Sequence, residues 1–233
     1  MVLFRRTFRQ VVVLAAWAGL WAAVPGEPAA AYEPLLITPT AIEQTASDAP
    51  SSGALPVNLI NNSGLSSIPD ATNYTTVTHS GGTWYSSAAP PNYFDADGTP
   101  PVFLLSLEEP TYLTDLVIWG YGGNNNEASD FLVEFSQDGG VTYYDSATVA
   151  TSSLLGTGSA TLSFGDVVLA DNVRLTMTDN AGGRGFSGTG SGDRVGLGEI
   201  KFLSRVPEPS SLLLLVLAAI GLVGRGRRRS RQQ

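Results

Sequence analysis

The stretch DFLVEFSQDGGVTYYDS, residues 130–146, decides the fold class of the chain. Side chains at alternate positions of a strand point to opposite faces, so Phe131, Val133 and Phe135 form one apolar face. The residues Asp138-Gly139-Gly140 follow at once, and Asp and Gly are the residues that tight turns require. The stretch therefore predicts a β-hairpin.

Short apolar runs of the same kind extend in both directions from this hairpin, separated by clusters of Gly, Asn, Asp and Pro and without a sustained helical period. The clearest predicted strands are residues 102–107, 113–121, 130–138, 141–149, 159–165, 172–180 and 195–203. Seven such segments predict an all-β domain, either a sandwich or a jelly roll. The long connections at 80–101, 120–129 and 181–194 are expected to form any binding face.

Residues 1–31 are predicted to be a secretory signal peptide. Arginines precede an apolar run at 11–24, and Ala29 and Ala31 offer a small-residue cleavage site. An uncleaved membrane anchor is the alternative. Residues 32–54 are poor in large apolar side chains and are expected to be an extended lead-in, with room for one edge strand at Leu35 to Thr38.

The other end of the chain, residues 204–233, is a tail of a different composition. An apolar run at 210–223 is short for a transmembrane helix. The arginines at 225–231 follow it directly, and the positive-inside bias would hold them in the cytoplasm. The tail therefore predicts a short transmembrane helix with a cytoplasmic C-terminus and an exported body.

Charge excludes one class of partner. Only five basic residues lie between residues 32 and 205, against nineteen acidic ones, so the body has a formal charge of −14. Such a body repels phosphate backbones, which argues against nucleic-acid binding. The chain has no cysteine, so an exported body of this size must depend on its core or on bound metal.

Catalytic chemistry finds few candidates. His79 is the one histidine of the sequence, and no G-x-S-x-G nucleophile motif is present to accompany it. Zinc is disfavoured because its usual ligands are Cys and His. The body is therefore predicted not to be an enzyme, and a small hydrolase is the distant alternative.

Six segments of the body, in their order, resemble the discoidin or coagulation-factor type C domain. They are residues 58–66, 83–87, 103–121, 130–140, 172–180 and 196–203. The resemblance implies a galactose-binding-like jelly roll of eight strands over residues 55–203.

The same resemblance implies a structural calcium ion, since such sugar-binding domains often hold a cation between an early loop and the acidic residue of the last strand. Its ligands here would be Asn61, Asn62, Ser63 and Glu199. The early loop brings no carboxylate to a metal, and the alternative is a Glu199 that backbone amides satisfy at a strand end.

Sugar binding needs aromatic side chains on exposed loops with amide and guanidinium donors nearby. The available set on the long loops is Trp84, Tyr85, Tyr93, Asn124, Asn125, Asn126 and Arg184. Two tryptophans have another interpretation: Trp119 lies in an apolar strand and is expected in the core, and Trp84 could pack beneath the sandwich.

The tail carries a more specific resemblance. The motif Val206-Pro207-Glu208-Pro209, followed by the apolar run and the arginines, resembles the PEP-CTERM sorting signal of Gram-negative bacteria that make exopolysaccharide. That resemblance implies recognition by an exosortase, a membrane protease-transpeptidase. A plain membrane anchor is the alternative.

Together these patterns predict an exported, non-enzymatic protein of the cell envelope or extracellular matrix that binds or organises exopolysaccharide. A structural or protein-adhesion module without a glycan site is the competing hypothesis.

Overall fold

The computed structural model describes residues 34–46, 53–87, 93–94, 99–122, 126–151, 155–180 and 194–205. All of them belong to one compact unit, Glu33–Val206. The predicted signal peptide, tail helix and sorting motif lie outside the described residues. Within the ranges given above, no helix has the length and apolar character needed to cross a membrane.

The described residues form an all-β, antiparallel fold, as the sequence predicts. Its strands are β1 (Pro34–Ile37), β2 (Ala41–Ala46), β3 (Trp84–Tyr85), β4 (Val102–Trp119), β5 (Ala128–Ser136), β6 (Asp145–Ala150), β7 (Ser159–Asn180), β8 (Gly196–Leu197) and β9 (Glu199–Arg205). A short 3-10 turn covers Pro56–Leu59.

The two longest strands, β4 and β7, pair along nearly their whole length and form the spine of a seven-stranded sheet. The sheet order is β1-β9-β4-β7-β5-β6, with β2 paired to the first half of β4. Strand β9 pairs with the second half of β4, so the two ends of the spine carry different neighbours. Strands β3 and β8 form a separate two-stranded sheet.

Both parts of the sheet contribute to one hydrophobic core. Phe103 from the start of β4, Phe135 from β5, Leu175 from β7 and Phe202 from β9 are all fully buried in it. The opposite face of β4 and β9 carries a smaller cluster, in which the indole N–H of Trp119 donates to the carbonyl of Val77 at 2.9 Å. The prediction that Trp119 is a core residue is confirmed.

The hairpin that the sequence predicts is present, with Phe131, Val133 and Phe135 fully buried and β5 paired to β6. The second strand begins at Asp145 rather than at residue 141. Asp138 explains the delay, because its carboxylate accepts the backbone N–H groups of residues 141 and 142 and holds them in the turn.

Four predicted strands merge into two long ones. Segments 102–107 and 113–121 become β4, and segments 159–165 and 172–180 become β7. The connections continue as strand because Thr111 pairs with Ala170 beyond a register shift in the ladder. The lead-in also supplies β1 and β2, so the sheet begins before Leu55.

Candidate functional site

Two of the predicted sugar-contact residues, Trp84 and Tyr93, are fully buried. The Trp84 ring meets the edge of Phe103 at a centroid distance of 4.9 Å, and its Nε1 donates to Oε1 of Gln44 at 3.1 Å. Tyr93 packs against Phe94 in the same core. Their burial corrects the prediction that they offer solvent-facing contact surfaces, because large aromatic rings gain most from complete removal from water. It agrees with the alternative that Trp84 packs beneath the sandwich.

Tyr85 is half-buried and takes part in a cluster that we call the aromatic site, made of Tyr85, Tyr121 and Arg194. The two tyrosine rings meet edge to face with centroids 5.4 Å apart. The guanidinium of Arg194 lies 5.4 Å from the centroid of the Tyr85 ring, within the range of a cation–π contact, and also hydrogen-bonds the Tyr121 side chain. Burial raises the pKa of Tyr121, so its hydroxyl is neutral at pH 7.

Each residue of the aromatic site stands where a strand meets one of the long loops. Tyr85 ends β3, Tyr121 follows β4, and Arg194 precedes β8. The sheet therefore fixes their backbones, while their side chains remain partly accessible. Asn124, Asn125 and Arg184, which the sequence predicts as donors, lie outside the described residues.

A buried carboxylate supports this end of the domain. Glu127 accepts the backbone N–H of Tyr121 at 2.9 Å and that of Leu155 at 2.7 Å. Its side chain lies so close to Gly120 that a Cβ there would stand 2.2 Å from Oε1. The carboxylate therefore ties the start of the 120–129 loop to a neighbouring loop, and Gly120 leaves it room.

The sequence alone did not single out Tyr121 or Arg194 as site residues. Tyr121 closes an apolar predicted strand, and Arg194 ends the 181–194 connection, which the sequence predicts only as part of a binding face. The small number of basic residues in the body was the one available signal. With so few cations, each arginine is a candidate to supply a charged donor to a binding site.

The four predicted calcium ligands do not act alike. Glu199 is fully buried, and its Oε1 accepts the backbone N–H of Asn62 at 3.1 Å. Asn61 Oδ1 instead accepts the backbone N–H of Ser63 at 2.8 Å, within the loop. Asn62 Oδ1 and Glu199 Oε2 are buried and have no hydrogen-bond partner among the described residues.

A lysine already balances the charge of Glu199. The ammonium of Lys201, which is 1% exposed, lies 3.3 Å from Glu199 Oε1 and donates to Thr38 Oγ1 at 2.8 Å. Burial raises the pKa of Glu199 to about 7, while the ammonium and the Asn62 N–H oppose that rise. Burial also lowers the pKa of Lys201, and Glu199 opposes that change.

This donor set offers few charged ligands to calcium, and the predicted calcium site stays a prediction. Ca²⁺ takes six to eight oxygen ligands from carboxylates, carbonyl groups and waters. The described residues place one carboxylate here, with an ammonium in direct contact that repels a second cation. No group of three or more His, Cys, Asp or Glu side chains with metal-binding geometry occurs in the described ranges.

His79, the one histidine of the sequence, lies beneath the early loop and is 1% exposed. Its Nε2 lies 3.0 Å from the carbonyl oxygen of Ser63, so the neutral ring donates there. Burial lowers the pKa of His79, which favours the neutral form. This arrangement attaches the loop to the ring and leaves the ring closed to a substrate.

Comparison with family models finds the PEP-CTERM protein-sorting motif at residues 205–229. The match confirms the resemblance predicted for the tail. It indicates a secreted protein with a C-terminal sorting signal. A search of curated proteins finds no match to this sequence.

Solved structures similar to this chain include several with a CBM32 domain. A truncated AlyQ with CBM32 and alginate lyase domains has 15% identity and a TM-score of 0.46, over 76% of this chain and 35% of that one. The family 32 CBM from C. perfringens NanJ in complex with galactose has 12% identity and a TM-score of 0.46, covering 74% and 100%. CBM32-3 from a family 31 glycoside hydrolase of Clostridium perfringens has 12% identity and a TM-score of 0.47, covering 70% and 90%.

Proposed function

We propose that the protein is a non-enzymatic, exported glycan-binding protein and that the aromatic site contacts the sugar. The observation that carries this proposal is the joining of two half-buried tyrosine rings to a guanidinium at the ends of three strands. Sugars present apolar C–H faces and hydroxyl groups, and aromatic rings with nearby fixed donors suit both.

The charge of the body favours a neutral glycan. With a formal charge of −14 between residues 32 and 205, the surface repels polyanions that come within the Debye screening length. Arg194 is also in contact with both tyrosines, so it serves as a fixed hydrogen-bond donor rather than as an isolated attractant for anions.

The sorting tail supplies the location. We infer that an exosortase processes the segment around Val206 to Pro209 and that the ligand is an extracellular polysaccharide of the producing cell. The PEP-CTERM match supports the first inference. Processing by an exosortase and binding of a polysaccharide are separate claims, and an experiment can contradict one without the other.

Affinity electrophoresis of the purified full chain tests the glycan half. Gels containing neutral galactan or dextran, or acidic alginate, would be compared with a plain gel. We expect retardation in a neutral gel, reduced roughly tenfold in apparent affinity by Arg194→Gln and by Tyr85→Ala. Tyr112→Ala is the matched control, because Tyr112 is 46% exposed and lies outside the aromatic site.

Two results would contradict the proposal. Variants of the aromatic site that migrate like the unaltered protein in a retarding gel would move glycan contact away from this site. An unaltered protein that runs freely through every gel would favour the structural or protein-adhesion hypothesis instead.

A further inference from the structure

A groove crosses the outer side of the sheet between β2 and the turn that joins β5 to β6. Its volume is about 370 Å³, within the range typical of small-ligand sites. The side chains that shape it are Ala41, Glu43, Leu104, Ser106, Tyr143 and Asn172. None of them belongs to the aromatic site.

Strand register explains why the groove faces water. Ser106 of β4 pairs with Ala41 of β2 on one side and with Asn172 of β7 on the other. Directly paired residues project on the same face of a sheet. Leu105, the neighbour of Ser106, is fully buried in the core, so Ser106 and its partners point outward.

One wall of the groove is a turn that is held rigidly. The carboxylate of Asp138 accepts the backbone N–H groups of Val141 at 3.1 Å and Thr142 at 2.9 Å. The hydroxyl of Ser136 accepts the backbone N–H of Gly140 at 2.9 Å. The turn therefore presents its residues to the groove in one geometry, which reduces the entropy lost on binding.

The aromatic side chain of that wall is also fixed. The Arg174 guanidinium lies 4.1 Å from the centroid of the Tyr143 ring, and its Nε donates to Glu134 at 2.6 Å. Tyr143 is half-buried, and its hydroxyl has no hydrogen-bond partner among the described residues. That hydroxyl is closed to solvent, so Tyr143 contributes a rigid ring to the wall rather than a hydrogen-bonding group.

The floor and the opposite wall are polar but carry little net charge. Ser106 donates to Asn172 at 2.9 Å on the floor. Glu134 neutralises Arg174, and the exposed carboxylate of Glu43 remains as an acceptor on the β2 side. Hydroxyl and amide groups, one carboxylate acceptor and a fixed tyrosine suit a neutral polyhydroxylated ring and repel an anion.

From this arrangement we propose that the groove is a second saccharide site, separate from the aromatic site, and that it takes one neutral sugar ring of a polysaccharide. The choice of a saccharide as the ligand of the groove rests on the proposed function. Two sites on one chain allow the protein to hold a polymer at two points, which raises apparent affinity by about 10²–10⁴ over one site.

A steric block gives the sharpest test. Ala41 is exposed on β2, so Ala41→Trp fills the groove without removing a core contact, and Ala41→Ser is its matched control. Glu43→Ala, also at an exposed position, tests the same groove by removing an acceptor. Each full-chain variant is run in neutral galactan and dextran gels beside Arg194→Gln, after its melting temperature has been checked.

We expect Ala41→Trp to weaken apparent affinity for a retarding glycan at least about tenfold, and Glu43→Ala to weaken it in the same direction. Ala41→Ser should migrate like the unaltered protein, and the combination of Ala41→Trp with Arg194→Gln should abolish retardation. If Ala41→Trp and Glu43→Ala both migrate like the unaltered protein, the groove proposal is overturned while the aromatic site stands. If only the groove variants lose retardation, the aromatic site is overturned instead, and free migration of the unaltered protein in every gel overturns both.

Discussion

Replacing Trp84 with alanine tests whether this ring is part of the hydrophobic core. Trp84 is fully buried, its ring packs on Phe103, and its indole N–H reaches Gln44. If Trp84 belongs to the core, the substitution lowers the stability of the fold, whatever its effect on glycan binding. If the ring were a contact surface, stability would hardly change.

The expected magnitude follows from the burial. Removal of a fully buried Trp or Phe side chain costs about 3–5 kcal/mol in unfolding free energy. For domains of about 150–250 residues each kcal/mol shifts Tm by about 2–4 °C, so Trp84→Ala should lower Tm by roughly 6–20 °C. Trp84→Phe keeps an aromatic ring but loses the indole hydrogen bond to Gln44, worth about 1 kcal/mol. Its Tm should therefore lie between those of the unaltered protein and Trp84→Ala.

Differential scanning calorimetry of the full chain measures the three melting temperatures directly. A Trp84→Ala variant that melts within about 2 °C of the unaltered protein would refute the core assignment. A Trp84→Phe variant as unstable as Trp84→Ala would show that the hydrogen bond, and not the ring, carries the stability.

Four further predictions concern single contacts. Hydrogen bonds from Thr142 and its neighbours lower the pKa of Asp138 from 3.8 to about 2. The contribution of the Asp138 carboxylate to stability is therefore present above pH 3.8 and lost as pH falls toward 2. In Asp138→Asn, the midpoint of urea unfolding should depend less on pH over that interval. Gly64→Ala should cost more than Gly81→Ala in thermal melts, because both have positive φ but only at Gly64 would a Cβ lie 1.8 Å from another atom; equal losses would contradict this. Glu127→Ala should speed amide exchange at residues 121 and 155 in mass-spectrometric hydrogen exchange, since each N–H loses a bond worth about 1.5–3 kcal/mol, and unchanged exchange would argue against the tie. Calcium in millimolar amounts should leave Tm unchanged, because Lys201 already compensates Glu199, whereas a rise of several degrees would show a metal bound to the folded state.

The strands could be predicted because alternation is a local property of the sequence. The pattern of Phe131, Val133 and Phe135 depends only on side-chain spacing, and all three are buried as predicted. The ends of the strands were harder to predict from the sequence. Nothing local joins residues 102–107 to 113–121, and their fusion into β4 depends on the cross-strand pairing of Thr111 with Ala170.

The site was predicted less completely than the fold. Sequence composition selects aromatic residues on long loops, but it cannot distinguish Trp84, which is buried, from Tyr85, its partly accessible neighbour. In a strand, adjacent side chains face opposite sides, so a change of one position decides between core and surface. Arg194 reaches Tyr85 across more than a hundred residues of sequence, a contact that no local pattern encodes.

The sequence by itself determined the class of fold, the acidic body and the sorting tail, because periodicity, charge and a contiguous motif are all written along the chain. The tertiary structure alone decided which side chains meet. It placed Lys201 against Glu199, where the sequence suggested a metal, and it placed Tyr143 over a groove formed by strands far apart in sequence. The physical reason is that burial and pairing depend on the register between distant strands, which is fixed only when the whole core packs.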